Sequence, residues 1–229
     1  MAKANYINLV FVIDKSGSMS GSEGDVVGGF KTTIEEQKKV KDGKCTVSLF
    51  TFSTNVDVNF IGRDVSEVNE IDYKTSGLTA MNDGIGIAID KIGEWLNGMK
   101  EEDKPSQTMF VIMTDGYENA SKEYSLEKVK EMIKHQEEKY NWTFVYMGSD
   151  LTNAQDANSL GITTRAFAKK SAYLGNYDII NASISAYRCT CGDAGEKGLA
   201  FATSLSESCE NATKEYANEI DLNADDLLS

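Results

Sequence analysis

The chain has 229 residues, 41% of them apolar, enough for a sizeable core, and carries a formal charge of −13. That charge argues against any role built on neutralising phosphates, so nucleic acid is not an expected partner. No segment approaches the ~18 consecutive apolar residues of a membrane span, and the cysteines, Cys45, Cys189, Cys191 and Cys209, are too sparse for the disulfide framework of a small secreted domain.

The opening residues, MAKANYINLVFVID, hold a short apolar run that meets Asp14 rather than a small-residue cleavage site. No signal peptide is expected, and the chain reads as cytoplasmic with reduced thiols. NLVFVID at 8–14 is apolar on both faces, as a central strand of a parallel sheet must be. After it, Ser22 and Asp25 have the form of a capping box, and Val26, Val27, Phe30 and Ile34 give the stripe of a first helix. Gly28 and Gly29 lower its helicity and are expected to permit close packing on the sheet.

CTVSLFTFS at 45–53 and VDVNFIG at 56–62 are separated only by Thr54 and Asn55, which predicts a hairpin and hence an antiparallel edge. Ile85, Ile89, Ile92, Leu96 and Met99 recur at helical spacing and predict a second helix. Pro105 sits in the connector before TMFVIMTD at 108–115, a second two-faced apolar strand. Leu126, Val129 and Ile133 mark a third helix, WTFVYMGSD at 142–150 a further strand, Gln155–Leu160 a short helix and Ala172–Tyr187 a fifth. Alternation between the two hydrophobic periods is the pattern of an α/β domain with a mixed sheet. Residues 1–189 read as that domain. Residues 190–229, with nine acids against two lysines, read as an acidic extension that is partly helical or flexible.

In such sheets ligands bind beyond the carboxyl ends of the strands. The segment DKSGSMSG at 14–21 lies at such an end, with Asp14, Ser16 and Ser18 at alternate positions and Gly17 and Gly21 relaxing the backbone. Oxygen-only donors of this kind suit a hard divalent cation such as Mg²⁺, which takes about six oxygens at ~2.1 Å. Two more loops match in character. IMTDG delivers Asp115, and GLTAMNDG places Thr79 just before the second helix. Each residue alone is more simply a cap or turn former; their joint arrangement singles them out. Asp83 reads as a helix-start residue, and Asp150 and Asp156, which could lie on the same rim as the metal, read more simply as a turn residue and a helix N-cap.

Together these segments resemble the von Willebrand factor A domains and their metal-ion-dependent adhesion site. The D-x-S-x-S loop matches Asp14, Ser16 and Ser18, the single threonine matches Thr79 in SGLTAMNDGI, and the T-D-G strand end matches Asp115 in IMTDGYENAS. The resemblance covers residues 6–187, and FVYMGSDLTNAQDANSLGI is similar to a late strand–helix unit of cytoplasmic bacterial and phage members. It implies a doubly wound, mostly parallel six-stranded sheet with one antiparallel edge strand and helices on both faces. It also implies a cation at the top, Mg²⁺ or else Mn²⁺ or Ca²⁺, held by neutral hydroxyls and by aspartates that often act through water. A partner protein's Asp or Glu would complete the coordination. By family analogy that partner is a MoxR-type ATPase or another cytoplasmic complex.

A rival class is a phosphatase of the haloacid-dehalogenase type with Asp14 as nucleophile, but such enzymes usually place a second Asp where this chain has Ser16. The single histidine, His135, falls on the polar side of the third helix and is not placed for a Ser-His pair. No phosphate-cradling P-loop is present. Cys189, Cys191 and Cys209 without a nearby histidine make an incomplete zinc set. A non-enzymatic, metal-dependent protein-binding module is therefore expected.

Overall fold

The two most apolar runs lie beside each other at the centre of the sheet. In the computed structural model, which describes residues 3–148, 154–167, 173–189 and 194–219, β1 (Lys3–Asp14) pairs in parallel with β4 (Pro105–Thr114), Leu9 opposite Met109. Beyond β1 lie β2 (Lys44–Phe52) and β3 (Val56–Asp64); beyond β4 lie β5 (Thr143–Gly148) and β6 (Thr164–Phe167). The order is β3-β2-β1-β4-β5-β6, with β3 alone antiparallel to its neighbour. The hairpin turns at residues 53–55, where Ser53 N–H donates to the Asn55 carbonyl. Two register shifts interrupt its pairing, between Val47 and Leu49 and between Leu49 and Phe50.

Alternate residues of a strand face opposite sides, so β1 builds two cores at once. Ile7, Leu9, Phe11 and Ile13 pack toward α1 (Glu23–Lys39) and α5 (Tyr173–Cys189). Val10 and Val12 pack toward α2 (Met81–Asn97), α3 (Leu126–Tyr140) and α4 (Ala154–Leu160). The architecture is the α/β sheet with helices on both faces that the resemblance implied.

Two local expectations are corrected, and one strand had not been foreseen. Ser22 makes no side-chain cap bond and its buried hydroxyl has no partner. Glu23 reaches instead, accepting from Gly21 N–H at 2.7 Å and from the Thr75 hydroxyl at 2.7 Å, a longer arm that ties α1 to a distant loop. Gly29 admits a helix rather than the sheet: a Cβ there would lie 2.1 Å from the Tyr177 ring of α5. The strand β6 had no apolar run of its own, being four residues with buried Arg165 inside.

Within the acidic extension, α6 (Ala194–Glu219) is a packed helix. Its Leu205 and Cys209 join the core beneath α5, while Ala217 reaches the core on the other face. The helix therefore passes around the β6 edge, where the Thr213 hydroxyl, donating to the Cys209 carbonyl of its own helix at 2.9 Å, also lies 3.3 Å from the Arg165 carbonyl. Arg188 pins α5 to α1 by donating to the Gln37 carbonyl at 2.7 Å and the Val40 carbonyl at 3.2 Å, carbonyls at the carboxyl end of α1 that need donors. Among the described residues no helix is long and apolar enough to cross a membrane.

Candidate metal centre

The chain leaves β1 and β4 at adjacent strand ends, and the side chains there are already joined. Asp14 is fully buried; its Oδ1 accepts from Ser16 N–H and its Oδ2 from the Thr114 hydroxyl, both at 2.7 Å. A single turn of 3₁₀ helix over Gly17–Met19 carries the loop on, with Met19 buried as its anchor. That turn brings Ser18 back, so that the Oγ atoms of Ser16 and Ser18 are 2.9 Å apart. Lys15 N–H continues the pairing to the Phe52 carbonyl at 2.7 Å, and the Tyr73 hydroxyl donates to the Asp14 carbonyl.

Thr79 arrives on a second segment fastened to the first. Ser76 N–H donates to the Lys15 carbonyl at 2.8 Å, Gly17 N–H to the Gly77 carbonyl at 3.0 Å, and Ala80 N–H to the Ser53 carbonyl at 2.8 Å. The loop that follows β4 is the third. Asn119 pairs twice with the Thr79 backbone, accepting from its N–H at 2.9 Å and donating to its carbonyl at 3.0 Å. Glu118 accepts from Asn82, Ala120 and Ser121 N–H, and Asp83 accepts from Lys122, Glu123 and Tyr124 N–H at 2.8–2.9 Å.

These three segments close on one point beside Gly116. A Cβ on that residue would lie 2.8 Å from Ser18 Oγ, 2.8 Å from Thr79 Oγ1 and 3.5 Å from Asp14 Oδ2. Glycine keeps the space open to a small ligand. Asp115 is half-buried beside it, and its charge opposes that of Asp14. The Asp14 carboxyl is raised above the ordinary range chiefly by burial; hydrogen bonds from Thr114 and Ser16 work against the rise, and Asp115 adds to it. A cation in the space would reverse that balance. Among the described residues no group of three or more His, Cys, Asp or Glu side chains could hold a metal. The donors gathered here are mostly hydroxyls, which leaves only hard, oxygen-preferring ions as a fit.

All five residues singled out from sequence, Asp14, Ser16, Ser18, Thr79 and Asp115, thus meet at one strand-end cluster. Asp83 lies in the first turn of α2 as expected, and also clamps the loop opposite. Asp156 lies in the first turn of α4, its carboxyl raised by burial and by the nearby Glu118 charge; Asp150 lies outside the described residues. Thr114, Gly116, Glu118 and Asn119 were not foreseen. The first two had a visible signal, since they bracket Asp115.

The sequence model of the von Willebrand factor type A domain matches residues 8–186. The chain belongs to this family. Domains of the von Willebrand type are commonly protein-interaction modules. Among solved structures, the vWF domain of the type V pili tip protein Mfa5 from Porphyromonas gingivalis is similar with a TM-score of 0.59 at 10% identity, over 82% of this chain and 97% of that one. Proximal thread matrix protein 1 of the mussel byssus aligns at 0.55 and 16% identity over 83% and 48%, and the PilB minor pilin of Streptococcus sanguinis at 0.55 and 13% over 78% and 61%. At these identities the likeness is one of fold. A curated relative, the probable bifunctional E2/E3 enzyme R795 of Acanthamoeba polyphaga mimivirus, is 33% identical over 89 residues, which are 38% of this chain and 6% of that protein. This von Willebrand domain therefore spans a small part of that relative.

Proposed function

We propose that this chain is a protein-binding module that captures a partner's carboxylate through a divalent cation at the carboxyl ends of β1 and β4. The observation that carries the reading is the set of Ser18, Thr79 and Asp14 oxygens around the space beside Gly116. Ser16, Ser18 and Thr79 would hold the ion through neutral hydroxyls. By the family resemblance, Asp14 and Asp115 would act through bound water, the Asp14 oxygens being held in place by Ser16 N–H and the Thr114 hydroxyl. A bound cation supplies an electrophilic position that an Asp or Glu of the partner fills, a contact stronger than an exposed ion pair. We assign Mg²⁺ as the resident ion, with Mn²⁺ and Ca²⁺ as substitutes on the same donors.

We read the chain as non-enzymatic. A phosphatase of that rival class would need a second acid two residues after Asp14, where Ser16 stands. We place the protein in the cytoplasm of a bacterial or phage system, in a complex with a MoxR-type ATPase or a comparable assembly, by family analogy. The buried free thiols of Cys45 and Cys209 fit a reducing compartment.

A Mn²⁺ soak followed by anomalous diffraction tests the metal. A peak between Ser16, Ser18 and Thr79 is expected; its absence at saturating Mn²⁺ would sink the reading. Turnover of phosphate esters that disappears in Asp14→Asn would overturn the non-enzymatic assignment.

A further inference from the structure

At the end of the sheet where the parallel strands begin, a cavity of about 320 Å³ opens between α2 and α3. Its floor is the start of β4 and the residue that leads into β5. Strand alternation sets Thr108 on the same face as Phe110, and the Trp142 ring stacks on Phe110 with centroids 5.3 Å apart. Gln107, Thr108 and Trp142 line the cavity, and each is more than nine-tenths buried. Tyr140, edge-on to His135 with centroids 5.8 Å apart, forms an outer wall. Along β4 the site lies ~20 Å from Thr114 and the metal centre.

The polar atoms on that floor are only partly used by the protein. Gln107 spends both amide hydrogens, Nε2 donating to the Thr143 hydroxyl at 2.8 Å and to the Asn141 carbonyl at 3.1 Å, which fixes the amide and leaves Oε1 over. Among the described residues, Gln107 Oε1, the Thr108 hydroxyl and the Trp142 indole N–H have no hydrogen-bond partner, yet none of the three is sealed inside the core. Each opens where its residue lines the cavity. Polar groups on residues so deeply buried call for a partner.

An acceptor, a donor and a hydroxyl beside an aromatic ring match an amide edge carried on a flat molecule. Its carbonyl would take the indole N–H, and its N–H would go to Gln107 Oε1. The Lys104 ammonium and the Glu101 carboxylate, which also line the cavity, are paired with each other, so neither is left over for an ionic ligand. The volume is at the lower end of the about 300–1,000 Å³ of small-molecule sites and admits one ring system rather than an extended ligand. We propose that this cavity binds an uncharged planar heterocycle with a lactam edge, of nucleobase size, independently of the metal centre.

The chain has two tryptophans, Trp95 and Trp142, so their indole N–H resonances in an isotope-labelled sample report the site directly. The full chain is titrated with hypoxanthine, with purine, which lacks the lactam carbonyl, with hypoxanthine methylated on the lactam nitrogen, and with inosine monophosphate. Hypoxanthine should shift the Trp142 resonance with a Kd below ~1 mM and bind about tenfold more tightly than purine or the methylated base. Trp142→Phe keeps a ring, identifies the resonance by its loss, and should bring hypoxanthine and purine to within about twofold of each other by calorimetry. The comparison of the three bases on the wild-type chain stands whether or not that variant folds. Asp14→Ala and EDTA should leave hypoxanthine binding unchanged. No indole shift up to ~2 mM hypoxanthine, a shift confined to Trp95, or equal binding of the three bases overturns the proposal. Tighter binding of inosine monophosphate than of hypoxanthine would overturn the uncharged ligand, and loss of hypoxanthine binding in Asp14→Ala or EDTA would overturn independence from the metal.

Discussion

Thr114 donates its hydroxyl to Oδ2 of Asp14 at 2.7 Å, joining the ends of β4 and β1 across 100 residues of sequence. The bond does two things: it satisfies a buried carboxylate oxygen, and it lowers the cost of keeping that carboxylate ionised. Thr114→Val keeps the shape and removes the donor. It should lower stability by about 1–3 kcal/mol in urea unfolding and weaken Mn²⁺ binding about tenfold, with Thr114→Ser restoring most of both.

Gly116→Ala separates metal binding from folding. The added methyl would meet Ser18 Oγ and Thr79 Oγ1 at 2.8 Å, and these are ends of short side chains that can rotate away. The fold should survive with a change of about 1 kcal/mol or less, while the hydroxyls are driven off the ion's position. Isothermal titration should show Mn²⁺ affinity reduced at least about tenfold.

Glu137, half-buried on α3, has its carboxyl pushed up to about 7, first by burial and then by the neighbouring Glu138. Its folded pKa lies above the unfolded value of ~4.3, so between those two pH values the native state binds more protons than the unfolded one. Stability is then fully present below about pH 4.3 and falls as pH rises toward 7. Because the group is partly solvated, the loss should be on the order of 1 kcal/mol. Glu137→Gln should remove that slope in unfolding curves taken at pH 5 and pH 8, and should be the more stable protein at pH 8.

Truncation before α6 should destabilise without dismantling the site. Leu205, Cys209 and Ala217 leave the two cores, which amounts to about 3 kcal/mol or more, or a fall in Tm of roughly 6–12 °C. Among the described residues the bonds given for the strand-end cluster run between the segments after β1, before α2 and after β4, so Mn²⁺ binding at low temperature should persist. A chain ending at residue 193 with unchanged Tm would show that α6 adds nothing.

What could be read from the sequence followed burial. A strand covered on both faces leaves only apolar residues, which is why 8–14, 108–115 and 142–150 were legible, whereas β6 holds a buried arginine and owes its place to β5 and α6. Asp14, Ser16, Ser18 and Asp115 stood out as small polar groups after buried strands, and Thr79 as a polar residue just before α2. What braces them was not legible: Asp83 reaches its three amide donors 39–41 residues away, and Asn119 meets Thr79 across 40 residues. No local pattern encodes a path of that length. The Ser22 box failed for the opposite reason, a local motif overridden by Glu23, whose longer side chain reached Thr75.

The route of α6 around β6 also bears on how the protein avoids itself. An uncovered strand offers its backbone to any other chain in extended form. At one margin that opportunity is reduced by α6, which packs along β6 and sets its Thr213 hydroxyl 3.3 Å from the Arg165 carbonyl. At the other, β3 has Asp57, Arg63 and Asp64 along it and two register shifts in its pairing to β2, features that discourage a further strand from adding. With both margins so guarded, edge-to-edge pairing of two copies of the sheet is discouraged.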